Sequence, residues 1–198
     1  MSSLFNLAIT FFLVANPVGN SPAIMALLKN YDFAKQKRIM LRESFISFLV
    51  AIFFQFFGDL FLGALGVSLY ALSFTGGIVL FATALRMIFQ KPESPTETKL
   101  TTEPFFVPIA MPIISGPGLM TIIMVKARET EDFLGISLAI VIAWIGVTAV
   151  LWLSPNLQKV VGKRGMDALE QIMGMILGLI SINMIVDGAH QFVKTLQG

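Results

Sequence analysis

The chain has 198 residues, of which 56% are hydrophobic and only 13% are charged, and its mean hydropathy is +0.81. Soluble domains carry about 25% charged residues, so this composition predicts an integral membrane protein. The net charge of +2 provides no basic surface for nucleic acid, and the absence of cysteine excludes disulfides and thiolate metal sites. A single histidine, His190, leaves no histidine cluster for a metal either.

The apolar segments are long enough for six membrane-spanning helices of about 20 residues each, so the predicted class is an all-α integral membrane protein. The N-terminal segment lacks the positive charges of a secretory signal, so we expect it to be retained as the first span. In chain order the predicted spans cover residues 4–28, 40–62, 67–89, 105–125, 134–154 and 167–191.

Lysine and arginine are distributed unequally between the two sides that six spans define. The first, third and fifth connections (29–42, 86–99 and 155–165) hold eleven of these residues, and the opposite side holds three. Positively charged connections stay in the cytoplasm. The sequence therefore predicts that both termini lie outside the cytoplasm, in a multi-pass protein of the inner (plasma) membrane.

The chain contains an internal repeat. With an offset of 95 residues, "FFLVANPVGNSPAIM" (11–25) aligns with "FVPIAMPIISGPGLM" (106–120), and both carry two prolines separated by four residues. We predict a first three-helix repeat over 1–90, a cytoplasmic linker over 91–103 and a second repeat over 104–198. Because three spans are an odd number, the second repeat is inverted in the membrane. The predicted fold is six transmembrane helices in two inverted three-helix repeats, with helices 1 and 4 discontinuous.

Prolines, glycines and small polar residues interrupt the first and fourth spans at 16–22 and 112–118. A proline inside a helix costs about 3 kcal/mol, because it removes a backbone donor and clashes with the preceding turn. Amides freed by a break attract a carboxylate, and freed carbonyls attract an ammonium group or a cation. Two inverted breaks would together bind a small zwitterion. Kinks that serve only helix packing are the alternative.

The residues of the two breaks restrict the ligand that they would bind. Neither break contains Asp, Glu, Lys or Arg, which favours a ligand without net charge. Asn16, Asn20 and Ser115 would add neutral hydrogen bonds. Gly19, Gly116 and Gly118 allow the backbone to approach a ligand closely, and they leave room for a small ligand side chain only.

Three segments carry a resemblance to a known family. "NPVGNSP" (16–22) and "MPIISGPG" (111–118) resemble the paired signature of the MarC family of six-span bacterial and archaeal membrane proteins, and "SLYALSFTGGIVLFA" (68–82) resembles its third span. The resemblance covers essentially the whole chain and implies a transporter of small neutral amino acids of glycine or alanine size. Met111 departs from the first motif, which has Asn at the aligned position. The resemblance implies a central site formed by Asn16, Pro17, Gly19, Asn20, Pro22, Pro112, Ser115, Gly116, Pro117 and Gly118.

Several residues outside the two motifs have alternative interpretations. Thr121, one turn beyond the second break, either lines the substrate cavity or hydrogen-bonds its own helix. Small residues of the third and sixth spans serve close helix packing, with lining of the site as the alternative for the third. Ionisable groups near span ends are explained by interfacial placement, although Asp187, with Asn183 one turn deeper, remains a candidate partner for a proton or cation. The small residues are Thr75, Gly76 and Gly77 in the third span and Gly174 and Gly178 in the sixth. The ionisable residues near span ends are Asp59, Arg86, Asp187 and His190.

The function predicted is secondary transport of a small neutral amino acid by alternating access, coupled to a proton or a sodium ion. The alternative is a channel or an exporter for another small polar solute; a channel would need a continuous polar face on several spans. No P-loop is present, and the clustered catalytic groups of a membrane enzyme are missing. We therefore predict no enzyme activity, no cofactor and no nucleic-acid partner, with membrane lipid around the protein.

Overall fold

The computed structural model describes residues 2–89, 109–130 and 132–197, and nearly all of them are helical. The predicted all-α class is therefore confirmed, while the predicted linker 91–103 lies outside the described residues. The elements in chain order are α1 (Ser2–Ala15), α2 (Pro17–Leu27), α3 (Phe33–Ala64), α4 (Leu69–Phe89), a short π-helical turn (Ile109–Ile114), α5 (Pro117–Thr130) and α6 (Phe133–Gln197).

Within the described residues, five segments are long and apolar enough to cross a membrane: Leu4–Leu27, Phe33–Gly58, Leu69–Phe89, Phe133–Gly162 and Arg164–Leu196. They correspond to the first, second, third, fifth and sixth predicted spans. The last two are the arms of α6, which changes direction at Gly162, where φ is 71° and ψ is 174°. The predicted fourth span is described only from residue 109, as the π turn followed by α5.

The helices extend further than the apolar segments. Asp32 caps the first turn of α3 by accepting a hydrogen bond of 2.7 Å from the backbone N–H of Lys35. The predicted connection 29–42 is therefore helical from Phe33 onward. At its other end, α3 continues to Ala64 and turns at Gly66, whose φ is 66°. Apolar length marks the part of a helix that fits the bilayer, whereas capping residues determine where the helix begins and ends.

Two pairs of helices pack antiparallel. On α3 and the first arm of α6, the hydroxyls of Ser44 and Thr148 lie 2.7 Å apart, and the Gln55 amide donates to Ser137 Oγ over 2.8 Å. As the residue number rises on α3 it falls on α6. The contacts of α4 with the second arm of α6 follow the same rule, because Gly77 faces Ile185 and Gly174 faces Ala84.

The π turn and α5 run parallel to α3. At one end, the backbone N–H of Ala110 donates to Glu43 Oε2 over 3.3 Å, and at the other, the Met124 side chain packs against Gly58. The 15 residue-to-residue steps from Glu43 to Gly58 rise about 22 Å along a helix. This segment therefore follows α3 over most of the thickness of a bilayer core.

The interrupted segments lie at the centre of the bundle. Fully buried apolar side chains come from α1, α2, the π turn and α5, for example Phe11, Ile24, Ile114 and Ile123. Helix α3 and both arms of α6 also present large exposed apolar side chains, including Phe45, Leu60, Ile145 and Leu179. In a membrane protein such a surface faces lipid, so the polar atoms of the interruptions are held away from lipid.

Candidate functional site

The first interruption is confined to one residue. Helix α1 ends at Ala15, and α2 begins at Pro17, with Asn16 between them in the left-handed conformation (φ 50°, ψ 51°). Asparagine adopts this conformation at lower cost than most side chains, and proline suits the first position of a helix. Pro22 lies inside α2. The interruption predicted at 16–22 is therefore limited to the first residue of its motif.

Two asparagine side chains replace the backbone hydrogen bond that this interruption removes. In a continuous helix the N–H of Gly19 would donate to the carbonyl of Ala15. Here Gly19 N–H donates to Asn16 Oδ1 over 3.1 Å, and Ala15 O accepts from Asn20 Nδ2 over 3.1 Å. One asparagine supplies the acceptor and the other supplies the donor. Both ends of the missing bond are thus satisfied without water.

The second interruption is longer. It begins at Met111, which is extended (φ −135°, ψ 129°), and the peptide bond between Met111 and Pro112 is cis. Both residues lie inside the π turn, after which Ser115 N–H donates to Ala110 O over 2.9 Å, and α5 begins only at Pro117. Met111 lies 95 residues after Asn16, the offset of the sequence repeat. The two interruptions therefore begin at equivalent positions and differ in length.

Asn20 connects the two interruptions. Its half-buried side-chain amide donates to Ala15 O, at the end of α1, and to Ile113 O in the π turn, over 3.1 and 2.9 Å. Both N–H bonds of the amide are used, and each points to a carbonyl next to an interruption. Among the described residues, the Asn20 side chain thus hydrogen-bonds to backbone of both interruptions.

The other residues of the first motif make local contacts. Pro17 is buried, and its carbonyl accepts a hydrogen bond of 2.6 Å from Ser21 Oγ. A Cβ at Gly19 would meet the Met87 side chain, whose sulfur also lies 3.2 Å from Asn16 Nδ2. The expected open space for a ligand beside Gly19 is filled by Met87 in this conformation.

The residues of the second motif point in several directions. Ser115 is fully buried and donates to Ser47 O on α3 over 3.0 Å, so its hydroxyl does not face Asn20. A Cβ on Gly116 would lie 2.9 Å from Pro112 O, and one on Gly118 would lie 2.6 Å from the Leu80 side chain. Pro112 and Pro117 are exposed in the chain.

Thr121 packs against the double glycine of α4. A Cβ on Gly76 would meet the Thr121 side chain directly, which supports the packing interpretation of this glycine. Ser73, one turn earlier on the same helix, is buried, and its hydroxyl has no hydrogen-bond partner among the described residues. Thr75, in contrast, is exposed and donates to Ala71 O on its own helix.

Sequence reasoning missed Glu43, a fully buried carboxylate on α3. Its Oε1 lies 2.9 Å from the Arg42 guanidinium, and its Oε2 accepts from Ala110 N–H immediately before the second interruption. A signal was available, because Glu43 falls inside the predicted second span, where ionisable residues are functional candidates by default.

A layer of hydroxyl and indole groups joins α3 to the first arm of α6 next to Glu43. Trp144 Nε1 donates to Ser44 O over 3.0 Å and to Ser47 Oγ over 3.2 Å. Since Ser47 O also accepts from Ser115, the layer is continuous with the second interruption. The first interruption is also connected to α6, because the hydroxyls of Ser21 and Ser154 lie 2.7 Å apart.

The ionisable candidates of the sixth predicted span do not reach the interruptions. Asn183, Asp187 and His190 are exposed on the second arm of α6. Gly188, next to Asp187, packs on Tyr70 at the start of α4, which agrees with a position near the end of the span. Arg86 is exposed near the end of α4. The side chain of Asp59 lies outside the described part of the chain.

Comparison with known proteins gives one family. The profile described as "MarC family integral membrane protein" matches residues 1–193. The UPF0056 inner membrane protein YhgN of Escherichia coli K12 is 32% identical over 196 residues, covering 98% of this chain and all of the relative. A UPF0056 membrane protein of Chlamydia trachomatis serovar D is 36% identical over 191 residues, with 94% and 92% covered. No solved structure gives a significant match.

Proposed function

The chain belongs to the MarC family of integral membrane proteins, and we propose that it is a secondary transporter of small neutral amino acids in the inner membrane. The observation that carries the proposal is the Asn20 side chain, which joins two interrupted helical segments at the centre of the bundle. Interrupted helices that meet inside a transporter supply unpaired backbone groups for substrate and coupling ions.

We propose that the membrane-spanning part has six crossings. Helix α4 returns after α3, so a crossing that followed α4 directly would run parallel to α3. The first arm of α6 instead runs antiparallel to α3. An odd number of crossings between Phe89 and Phe133 explains this direction. The π turn and α5, which follow α3 from Glu43 to Gly58, are the segment suited to that crossing.

The same contacts support two inverted repeats. The second and fifth spans pack antiparallel, as do the third and sixth, and this is the relation that an inverted three-span repeat requires. The interruptions start at Asn16 and Met111, which the offset of 95 residues makes equivalent.

We propose that both termini lie outside the cytoplasm. Lys37 Nζ lies 4.0 Å from the Trp152 ring centre, and Lys159 Nζ lies 4.2 Å from that of Phe33. These contacts hold two Lys-rich segments at the same end of the bundle, as the positive-inside rule requires.

The proposed substrate follows from the polar groups at the two interruptions. The substrate carboxylate lies near the N-terminus of α2, where Asn16 now accepts from Gly19 N–H, and the ammonium group lies near the carbonyls of Ala15 and Ile113. No charged residue lies within either motif. The close contacts of Gly19 with Met87 and of Gly116 with the Pro112 carbonyl favour a small substrate of glycine or alanine size.

We propose alternating access as the mechanism, with one repeat moving against the other around the interruptions. Glu43 and the Ser44–Ser47–Trp144 layer attach the second interruption to α3 and α6, so movement of these helices would reach the substrate groups. A gradient of protons or sodium ions would drive accumulation.

Uptake by the purified full chain in liposomes tests this function. We expect saturable uptake of glycine and alanine and little uptake of leucine, which is too large, or glutamate, which carries a net charge. Imposing a proton gradient and a sodium gradient separately identifies the coupling ion. Equal uptake of all four amino acids, or conductance without saturation, would contradict the proposal and favour a channel.

A further inference from the structure

Asn20 donates two hydrogen bonds to two backbone carbonyls that belong to different interruptions. Its Nδ2 atom lies 3.1 Å from Ala15 O and 2.9 Å from Ile113 O. The acceptors lie 98 positions apart in the sequence and meet at one nitrogen. Such a pair of carbonyls is a site for any group that carries at least two N–H donors.

We propose that Asn20 stands in for the ammonium group of the substrate, and that a primary ammonium displaces it from Ala15 O and Ile113 O. This inference rests on the proposed function and extends it by assigning the two carbonyls to one end of the amino acid. In the conformation described, the ammonium subsite is then occupied by the protein's own amide.

The exchange of donors is favourable on electrostatic grounds. An ammonium group carries a full charge and three N–H donors, whereas the asparagine amide is neutral and has two. Hydrogen bonds from a charged donor are about twice as strong as those between neutral groups. Asn20 therefore yields to an amino acid that supplies an ammonium group, but not to a solute whose nitrogen lacks N–H bonds.

The exchange of the substrate ammonium group for the Asn20 amide also explains how an empty carrier returns to the other side of the membrane. Two carbonyls facing each other inside a membrane are costly without a donor between them. Either the substrate or Asn20 supplies that donor, so the interruptions close in the loaded state and in the empty state. Without Asn20, the loaded carrier still closes and the empty carrier does not.

The Ser115→Cys variant reports on opening of the second interruption, since the chain has no cysteine of its own and Ser115 is fully buried. We would measure its rate of reaction with N-ethylmaleimide in liposomes containing the full chain. The rate is compared without solute, with glycine, and with glycine betaine, a trimethylated analogue that has no N–H donor. The Asn20→Ala variant is compared with Asn183→Ala, which removes an exposed asparagine far along α6.

We expect Asn20→Ala to raise the reaction rate about tenfold without solute, since it removes two hydrogen bonds, and Asn183→Ala to leave it unchanged. Glycine should lower the raised rate of Asn20→Ala, because its ammonium group replaces the missing donor and closes the interruptions, and betaine should not. In transport assays, Asn20→Ala should retain exchange of glycine for glycine and lose most net uptake.

An unchanged reaction rate in Asn20→Ala would overturn the inference. If that variant does not assemble, Asn20→Asp provides the same test, because it keeps the size of the side chain and lacks the two donors. A betaine effect equal to that of glycine would also overturn the inference. A fast rate in Asn20→Ala with no response to glycine or alanine in any protein would instead support the link between the interruptions and contradict the proposed function.

Discussion

The side-chain amide of Asn20 lies 2.9 Å from the carbonyl oxygen of Ile113, a residue 93 positions away in the sequence. This bond joins the two proline-containing motifs that the repeat aligns. Each motif alone resembles a helix kinked for packing. The bond between them places backbone carbonyls of both interruptions around one side chain inside the bundle.

Bulky apolar substitutions at the two motifs should abolish transport. Asn20→Leu removes both donors to Ala15 O and Ile113 O and fills the space with a branched side chain. Gly116→Leu places a Cβ 2.9 Å from Pro112 O, a backbone atom that moves only with the π turn. We expect both variants to reach the membrane in normal amounts and to show no glycine uptake, measured in liposomes at equal protein content.

Gly63→Leu is the matched control for these variants. A Cβ on Gly63 has no neighbour within 4 Å, so this leucine should be tolerated. Normal transport by both motif variants would refute the assignment of the site.

The conformation of Asn16 should decide the stability of the first interruption. Asn16→Val forces a β-branched residue into a left-handed conformation, at a cost of about 1–2 kcal/mol, and removes the cap on Gly19 N–H, which costs about 1 kcal/mol. Glycine in Asn16→Gly tolerates the left-handed conformation but lacks the cap. This variant should therefore lose less stability than Asn16→Val. The free energy of unfolding measured in detergent should be highest for the wild type, lower for Asn16→Gly and lowest for Asn16→Val. A valine variant as stable as the wild type would contradict the account.

The sequence was sufficient to predict the helical class and five of the spans, because hydrocarbon thickness fixes the length of an apolar helix. It also located both interruptions, since proline has few positions in a helix. The prediction of the first interruption was too long, because Asn16 turns the chain in one residue and Pro17 starts the next helix at once. The bond from Asn20 to Ile113 depends on packing between distant segments, which no local pattern records. Glu43, in contrast, could have been identified.

The contact between Gly76 and Thr121 distinguishes packing from a role in binding. Gly76→Ala should weaken the crossing of α4 and α5, because the new methyl group would meet the Thr121 side chain. If the role is packing, Thr121→Gly in the same protein should restore thermal stability and transport together. Restored stability without restored transport would instead indicate that Thr121 contacts the substrate.

Glu43 should contribute to stability beyond an ordinary ion pair. Glu43→Leu removes the carboxylate from Arg42 and the acceptor from Ala110 N–H. We expect a loss of about 3 kcal/mol in the free energy of unfolding, at the low end for a buried pair because Arg42 is partly exposed. Glu43→Gln keeps an acceptor for Ala110 N–H, so its free energy of unfolding should fall by less than that of Glu43→Leu.

The exposed pair between Lys126 and Glu129, 2.7 Å apart, provides the comparison for Glu43. Glu129→Leu should change the free energy of unfolding by about 1 kcal/mol or less. Equal effects of the two leucine substitutions would show that Glu43 has no special part in holding the second interruption.

Counterflow of glycine tests the central claim most directly. Liposomes containing the purified chain are loaded with unlabelled glycine and diluted into a trace of labelled glycine. A transporter that alternates access should accumulate label transiently above the outside concentration, with an initial rate that saturates as glycine is raised. Equilibration without an overshoot, or a rate that rises linearly with concentration, would contradict transport by alternating access.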